Sequence, residues 1–313
     1  MSADTSTTRP VIAVVGPTAS GKSELGIALA LRLGGEVINC DSVQVYREIE
    51  IATAKVPPEE RRGVPHHLID FVPPGRSYTA ADWARDALAV IEQVEARGRT
   101  ALLVGGSGLY LRALREPFFE APPTDQGLRR RLAHLRERRG PEYLHRLLGR
   151  LDAGRAARLQ PRDWSRVQRA LELRLQTGER LSARLSQRPE PPEQAARLRV
   201  FALSPPREQL YRRIDLRAEA HFRLGLVEEV RGLLARGVPA EGSALGAHGY
   251  RRVVEHLRGL RTLESAVEQT KLDVRHYAKR QMTWFRREPG VEWVEGFGED
   301  PRAQEEVARR LGL

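Results

Sequence analysis

The chain has 313 residues, with 52 Lys+Arg against 41 Asp+Glu and a formal net charge of +11, long enough for about two domains with sizeable apolar cores. Its single cysteine, Cys40, excludes a disulfide scaffold and a thiolate zinc module, and no apolar run of about 18 residues offers a transmembrane helix. The opening residues are rich in Ser and Thr without an apolar stretch, so no secretory signal is expected and a reducing cytoplasm is the expected compartment.

In chain order, Val11, Ile12, Ala13, Val14 and Val15 form a continuous apolar run, the pattern of a buried parallel strand. A Gly-containing turn follows, then a helix with Leu25, Ala28, Leu29 and Leu33 on its apolar face. Residues 36–40 read as a second strand, 82–96 as a helix and 100–104 as a further strand. This alternation predicts an α/β fold with a doubly wound parallel sheet. Two proline clusters, at 116–124 and 188–193, then bracket a stretch with helical periodicity and no strand pattern. Three apolar stripes run through it: Leu128, Leu132 and Leu135; Leu144, Leu147, Leu148 and Leu151; Val167, Ala170, Leu171 and Leu175. Residues 198–203 read as a strand returning to the sheet, and long helical patterns continue to about Phe285.

The charge is not spread evenly. Residues 1–121 carry 13 basic and 15 acidic side chains, residues 122–200 carry 19 and 9, and residues 201–313 carry 20 and 17. The positive excess therefore sits in the helical stretch, which argues for a local polyanion-binding surface. The expected organisation is a first part of the α/β core at 1–121, an Arg-rich all-helical insertion at 122–197, and a return to the core with C-terminal helices at 198–313.

The strongest local signal is Gly16, Pro17, Thr18, Ala19, Ser20, Gly21, Lys22 and Ser23, which fits G-x-x-x-x-G-K-[ST] between a strand and a helix. Such a loop wraps a diphosphate with backbone N–H groups at a helix N-terminus, Lys22 reaches the outer phosphate, and the Ser23 hydroxyl can bind Mg²⁺. The fold expectation becomes a P-loop NTPase-like parallel sheet with helices on both faces. Asp41, Ser42, Val43, Gln44 and Tyr46 follow the second strand, and Gly105, Gly106, Ser107, Gly108 and Tyr110 follow the later one, where ligands of open α/β sheets bind. Asp41 suits a general base or a Mg²⁺ ligand, and equally a helix N-cap. An apolar strand ending in Asp-Glu, the usual ATPase signal, is absent apart from a weak candidate at Leu68, Ile69 and Asp70. The adjacent His66 and His67 would point apart on a strand, with no evident third ligand for a metal.

Together these segments resemble the tRNA dimethylallyltransferases, also called tRNA isopentenyltransferases. The resemblance runs from about Val11 to Trp293. Besides the motifs above it rests on Thr53-Ala54-Lys55, on Pro65 to Asp70, and on Asp163, Arg166, Arg169 and Glu172. Gly249-Tyr250 and the stretch from Tyr277 to Phe285 complete it. It implies transfer of a dimethylallyl group from dimethylallyl diphosphate to N6 of the adenosine 3′-adjacent to the anticodon of tRNAs reading codons that begin with U. Asp41 would take the amino proton, and the loop, Lys22, Arg217 and a hydroxyl from Ser107 would meet the charge growing on the diphosphate. Arg217 matches a diphosphate-clamping arginine, although read alone it is a helix arginine paired to Asp215 or Glu219. Asp41, Ser42, Val43, Gln44 and Ser107 would face the extruded base, and Arg129, Ser165, Arg166, Val167, Gln168 and Arg169 match positions that touch the anticodon stem-loop. Ser107 stands where Thr is usual, His221 for Met, Trp83 for Phe and Ala52 for Gly. The appended zinc finger of some eukaryotic relatives is absent.

Three other readings share parts of the pattern. A P-loop small-molecule or nucleotide kinase needs no Arg-rich insertion and should carry a phosphate-binding lid; an adenylate isopentenyltransferase should lack the insertion too. An inactive RNA-binding protein would not need Lys22, Ser23, Asp41 and Ser107 together. A monomer, with no membrane association, is expected.

Overall fold

A computed structural model describes residues 9–119, 121–187 and 189–313. The start of the chain up to residue 8, and Glu120 and Arg188 of the two proline clusters, lie outside the described residues.

The first apolar run forms β1 (Val11–Val15), buried at every position. The phosphate loop leads into α1 (Lys22–Leu33), which is closed by the left-handed Gly34 donating its N–H to the Ala30 carbonyl. Next come β2 (Glu36–Asn39), the short β3 (His66–His67), α2 (Ala80–Ala96), β4 (Ala101–Val104) and α3 (Gly108–Arg115). α2 begins with a reciprocal capping box between Thr79 and Asp82. Five helices follow: α4 (Gln126–Arg139), α5 (Pro141–Leu151), α6 (Ala153–Ala156), α7 (Trp164–Thr177) and α8 (Leu181–Ser186). The chain continues with α9 (Glu193–Ala196), β5 (Leu198–Ser204), α10 (Arg207–Arg223), α11 (Leu226–Ala235), α12 (Tyr250–Leu257), α13 (Leu263–Phe285), β6 (Val291–Glu295) and α14 (Pro301–Leu311).

The six strands make one parallel sheet in the order β3-β2-β4-β1-β5-β6. β1 is central, with Ile12 opposite Leu102 of β4 and Arg199 of β5. Because every strand runs the same way, the loops leaving β1, β2 and β4 emerge side by side at one edge. Helices α1 and α14 cover one face through Leu25, Leu29 and Val307. On α2, Trp83 is fully buried, stacks on Tyr110 at 4.9 Å and donates to the Asn39 carbonyl at 2.7 Å. β3 and β6 lie beyond the strands expected in the apolar pattern. β3 has two residues, and β6 alternates Val-Glu-Trp-Val-Glu at the sheet edge, where only one face is covered.

The chain divides into two compact units, Met1–Arg115 with Pro191–Leu313, and Glu116–Glu190. The second is helical in all its described elements, and its core draws on the three expected stripes through Leu132, Leu144, Leu148, Val167 and Leu171. Inside it the fully buried Glu172 accepts from Arg129 at 2.8 and 3.0 Å and from Gln168 at 3.0 Å. Residues 191–197 group with the sheet unit, where Arg197 bridges to Glu95 at 2.8 Å and donates to the Arg9 carbonyl at 2.7 Å.

Phe201 of β5 is fully buried among Val14, Leu203 and Val294. Phe201→Ala is expected to destabilise the sheet unit by about 3–5 kcal/mol in denaturant unfolding, and a loss below about 1 kcal/mol would contradict this core.

Candidate active site

Three loops meet at the carboxyl edge of the sheet, and main-chain bonds stitch them together. Cys40 N–H donates to the Val104 carbonyl at 2.8 Å, Ser107 N–H to the Cys40 carbonyl at 3.1 Å, and Gly105 N–H to the Val14 carbonyl at 3.1 Å. The approach is so close that a Cβ on Gly105 would overlap the Cys40 backbone. In the phosphate loop Gly21 has φ +81°, a left-handed conformation at the start of α1, and a side chain there would run into the Gly298 backbone.

A buried side chain of α13 completes the junction. Gln281 Oε1 accepts from Thr18 N–H at 2.8 Å and Gln281 Nε2 donates to the Gly106 carbonyl at 2.9 Å, so one amide ties the phosphate loop to the loop after β4. Ser107 Oγ accepts from Ser42 N–H at 2.9 Å, joining that loop to the one after β2.

Asp41 does not cap a helix. Its Oδ1 accepts from Val43 N–H at 2.9 Å and Gln44 N–H at 3.4 Å, closing a side-chain turn, while Oδ2 has no hydrogen-bond donor among the described residues. Asn39 fixes the approach to this turn, accepting from Asp41 N–H at 3.0 Å and donating to its carbonyl at 3.1 Å. The carboxylate is thus oriented with one oxygen open.

These loops border a cavity of about 470 Å³. Thr18, Ala19, Asp41, Ser42 and Val43 line it from the sheet side. α10 adds Ile214, Arg217, Ala218 and His221, and α13 adds Thr270, Val274 and Tyr277, each set spaced three or four residues apart on one helix face. Ala52 and Thr53 contribute, and residues 241–248 supply the rest of the wall. This segment and Tyr277 were not among the expected site residues. The glycines at 242, 246 and 249 and the stretch from Tyr277 were the available signals.

Arg217 faces this cavity without a counter-ion among the described residues, for a traceable reason. The two carboxylates that could neutralise Arg217 are engaged elsewhere: Asp215 pairs with Arg275, and Glu219 with Lys271 at 2.7 Å. Among the described residues no carboxylate forms an ion pair with Arg217. Burial lowers its pKa, and the Asp41 charge opposes that shift. Among the described residues Lys22 Nζ donates only to the Pro17 carbonyl, at 2.7 Å. Burial pushes the Lys22 ammonium down to about 8, with Asp41 opposing and Arg217 adding to the shift. Two desolvated cations beside an N–H-rich loop form a site for a multiply charged anion. The Tyr277 hydroxyl lies near Asp41 and Ser107, and burial raises its pKa.

Other expected residues are placed differently. Gln44 turns its amide away, donating to the Thr53 and Ala54 carbonyls at 3.0 and 3.1 Å, and so shapes the cavity wall from behind. Asp70 pairs with the buried Lys55 and does not line the cavity. The histidines diverge: His67 Nε2 meets Glu36 at 2.6 Å and His66 Nδ1 the Val64 carbonyl at 2.9 Å. Arg129, Ser165, Arg166, Val167, Gln168 and Arg169 all belong to the helical unit. There Ser165 and Arg166 are exposed, whereas Val167 and Gln168 are buried in the unit's core.

A family model described as IPP transferase matches residues 44–288. The chain belongs to the IPP transferase family. Among its relatives in that family, the tRNA dimethylallyltransferase of Solibacter usitatus is 46% identical, with 97% of this chain and 99% of the relative covered. The tRNA dimethylallyltransferase of Geobacter metallireducens is 48% identical over 92% and 93% of the two chains. Of solved IPP transferase structures, the tRNA isopentenylpyrophosphate transferase of Bacillus halodurans superposes with a TM-score of 0.70 at 36% identity, covering 97% of both chains. A eukaryotic dimethylallyltransferase acting on tRNA gives 0.79 at 28% identity, covering 97% of this chain and 78% of that one.

The lowered Lys22 pKa has a direct consequence. A bound diphosphate favours the charged ammonium, so affinity for an unreactive allylic diphosphate analogue should fall as pH rises through about 8. Calorimetric titration checks this, and Lys22→Met should bind more weakly at pH 7 with a flattened pH response.

Proposed function

We propose that this chain transfers a dimethylallyl group from dimethylallyl diphosphate to N6 of the adenosine 3′-adjacent to the anticodon, in tRNAs reading codons that begin with U. The product is N6-dimethylallyladenosine. The observation that carries the reading is one cavity bordered by both halves of the chemistry: Thr18 and Ala19 of the phosphate loop with Arg217 on one side, and Asp41 with its open Oδ2 on the other, while Lys22 behind the loop feels the charges of both Asp41 and Arg217. Relatives named tRNA dimethylallyltransferase, matched over nearly their full length, support it. Phosphoryl transfer, kept open by the phosphate loop alone, has no counterpart among them.

In the reaction the C1–O bond of the donor breaks as the N6–C1 bond forms. The electron pair leaves with the diphosphate, and the N6 proton passes to Asp41. An adenine amino group is a weak nucleophile because its lone pair is shared with the ring, so proton removal at the moment of bond formation matters. Lys22, Arg217 and the loop N–H groups of Ala19 to Ser23 stabilise the charge that grows on the leaving group. Ser107 holds the Asp41 loop through Ser42 and presents its hydroxyl beside it.

Mg²⁺ fits the donor set. The Ser23 hydroxyl stands at the first turn of α1 with no hydrogen-bond partner among the described residues, and no group of three His, Cys, Asp or Glu side chains there could cage a metal. A cation held by one hydroxyl, the substrate's phosphate oxygens and water is the coordination Mg²⁺ prefers. When bound it would neutralise diphosphate charge.

The tRNA is held, in this reading, through the Arg-rich helical unit. Ser165 and Arg166 at the start of α7 and Arg129 on α4 offer the exposed polar groups, while Val167 and Gln168 support them from the core. The target base must leave its stack to reach Asp41. No helix among the described residues is long and apolar enough to cross a membrane, and we place a monomeric enzyme in the cytoplasm.

Incubation with Mg²⁺, labelled dimethylallyl diphosphate and unmodified tRNA should move label into the tRNA. Label on AMP instead, or phosphoryl transfer from ATP, would overturn the assignment. Asp41→Asn keeps an oxygen for the 41–44 turn but cannot take the proton. It should cut turnover by about 10²–10⁴-fold with tRNA affinity nearly unchanged, and a parallel loss of both would make Asp41 structural.

A further inference from the structure

The cavity contains a polar group that transfer of a plain hydrocarbon chain does not use. His221 lies one helical turn beyond Arg217 on the same face of α10, about 5–6 Å away between side-chain origins. Neither of its ring nitrogens has a hydrogen-bond partner among the described residues. Burial, with Arg217 adding to it, lowers its pKa to about 4, so the ring is neutral at physiological pH and offers one N–H and one lone pair.

Its neighbours on the two helical walls form no hydrogen bond with it. Ala218 and Val274 are hydrocarbon, and the Thr270 hydroxyl is already donated to the Ala266 carbonyl at 2.7 Å. The other imidazole of the cavity, His248, is packed against the Tyr277 ring at 4.9 Å. A diphosphate on Arg217 and a tail running along α10 would bring the far end of a short allylic donor to His221, one helical turn away on the same cavity wall. A terminal methyl would leave the half-buried imidazole unpaired, whereas a terminal hydroxyl could donate to it or accept from it.

We infer that this cavity also accepts a five-carbon allylic diphosphate hydroxylated at the far end of its chain, with His221 as the residue that recognises the hydroxyl. The inference rests on the prenyl-transfer reading above. The chemistry balances without an added oxidant or reductant: C1–O breaks, N6–C1 forms, the N6 proton goes to Asp41, diphosphate leaves with the bonding pair, and the hydroxyl is carried through unchanged.

The test is a competition. Wild type, His221→Met and His221→Gln receive Mg²⁺, unmodified tRNA and equal concentrations of dimethylallyl diphosphate and 4-hydroxy-3-methylbut-2-enyl diphosphate, and the tRNA nucleosides are resolved by mass. Wild type should form both products. The ratio of kcat/KM values, hydroxylated over plain, should drop about tenfold in His221→Met, the worth of one hydrogen bond, and recover in part in His221→Gln. Because each ratio is internal to one enzyme, a general loss of activity in a variant does not mimic the effect. An equal ratio in wild type and His221→Met overturns the inference, as does wild-type transfer of the plain donor alone. A changed KM for tRNA at constant ratio would assign the imidazole to the RNA and overturn it as well. Transfer from neither donor would sink the prenyl-transfer reading itself.

Discussion

The buried amide of Gln281 is the bond on which the site depends. Parallel strands deliver their loops to a common edge, but that alone leaves each loop free to move against the next. Gln281 holds Thr18 N–H with its oxygen and the Gly106 carbonyl with its nitrogen, at 2.8 and 2.9 Å, in a place with room for no other side chain on Gly106. The Gly106 carbonyl would otherwise be a buried main-chain atom without a partner, a cost of about 1–3 kcal/mol. The helix that supplies this amide also supplies Val274 and Tyr277 to the cavity, so the anchoring of the loops and the shaping of the pocket come from one rigid element.

Electrostatics follows the same economy. α10 and α13 are cross-linked by Asp215–Arg275 and Glu219–Lys271, and these pairs remove from Arg217 the carboxylates adjacent to it on its own helix. A buried guanidinium left without a counter-ion destabilises the free protein. That energy becomes useful when an anion arrives, because the cation need not shed a partner first. Lys22, held by a main-chain carbonyl, is prepared in the same way. The negative partner within reach of both is Asp41, which tempers them in the absence of ligand.

Much of this was legible in the residues. The apolar runs of β1, β4 and β5, the phosphate loop and the position of Asp41 after β2 follow from strand pattern and spacing, because a strand buried on both faces has little freedom in composition. The edge strands β3 and β6 escaped because one is two residues long and the other is half exposed. Arg217 shows the limit of local reading. On the helix alone, Asp215 and Glu219 are its natural partners, and only the packing of α13 redirects them. Gln44 and Gln168 are similar: their amides suit a ligand, yet one is turned to the Thr53 carbonyl and the other to Glu172. The wall at 241–248 offered only its glycines as a signal, since it is defined by what it closes over.

The strand order carries a consequence for how the molecule is made. β1 lies between β4 and β5, yet the helical unit is synthesised between those two neighbours. Until residue 198 has emerged, one flank of the central strand has no partner and its N–H and C=O groups are an open edge. The helical unit closes by short-range contacts of the kind that form quickly, whereas completion of the sheet requires joining segments more than 180 residues apart. On the ribosome the helices of this unit can therefore settle first, and a chain halted within them would present its central strand to any other unpaired edge in reach.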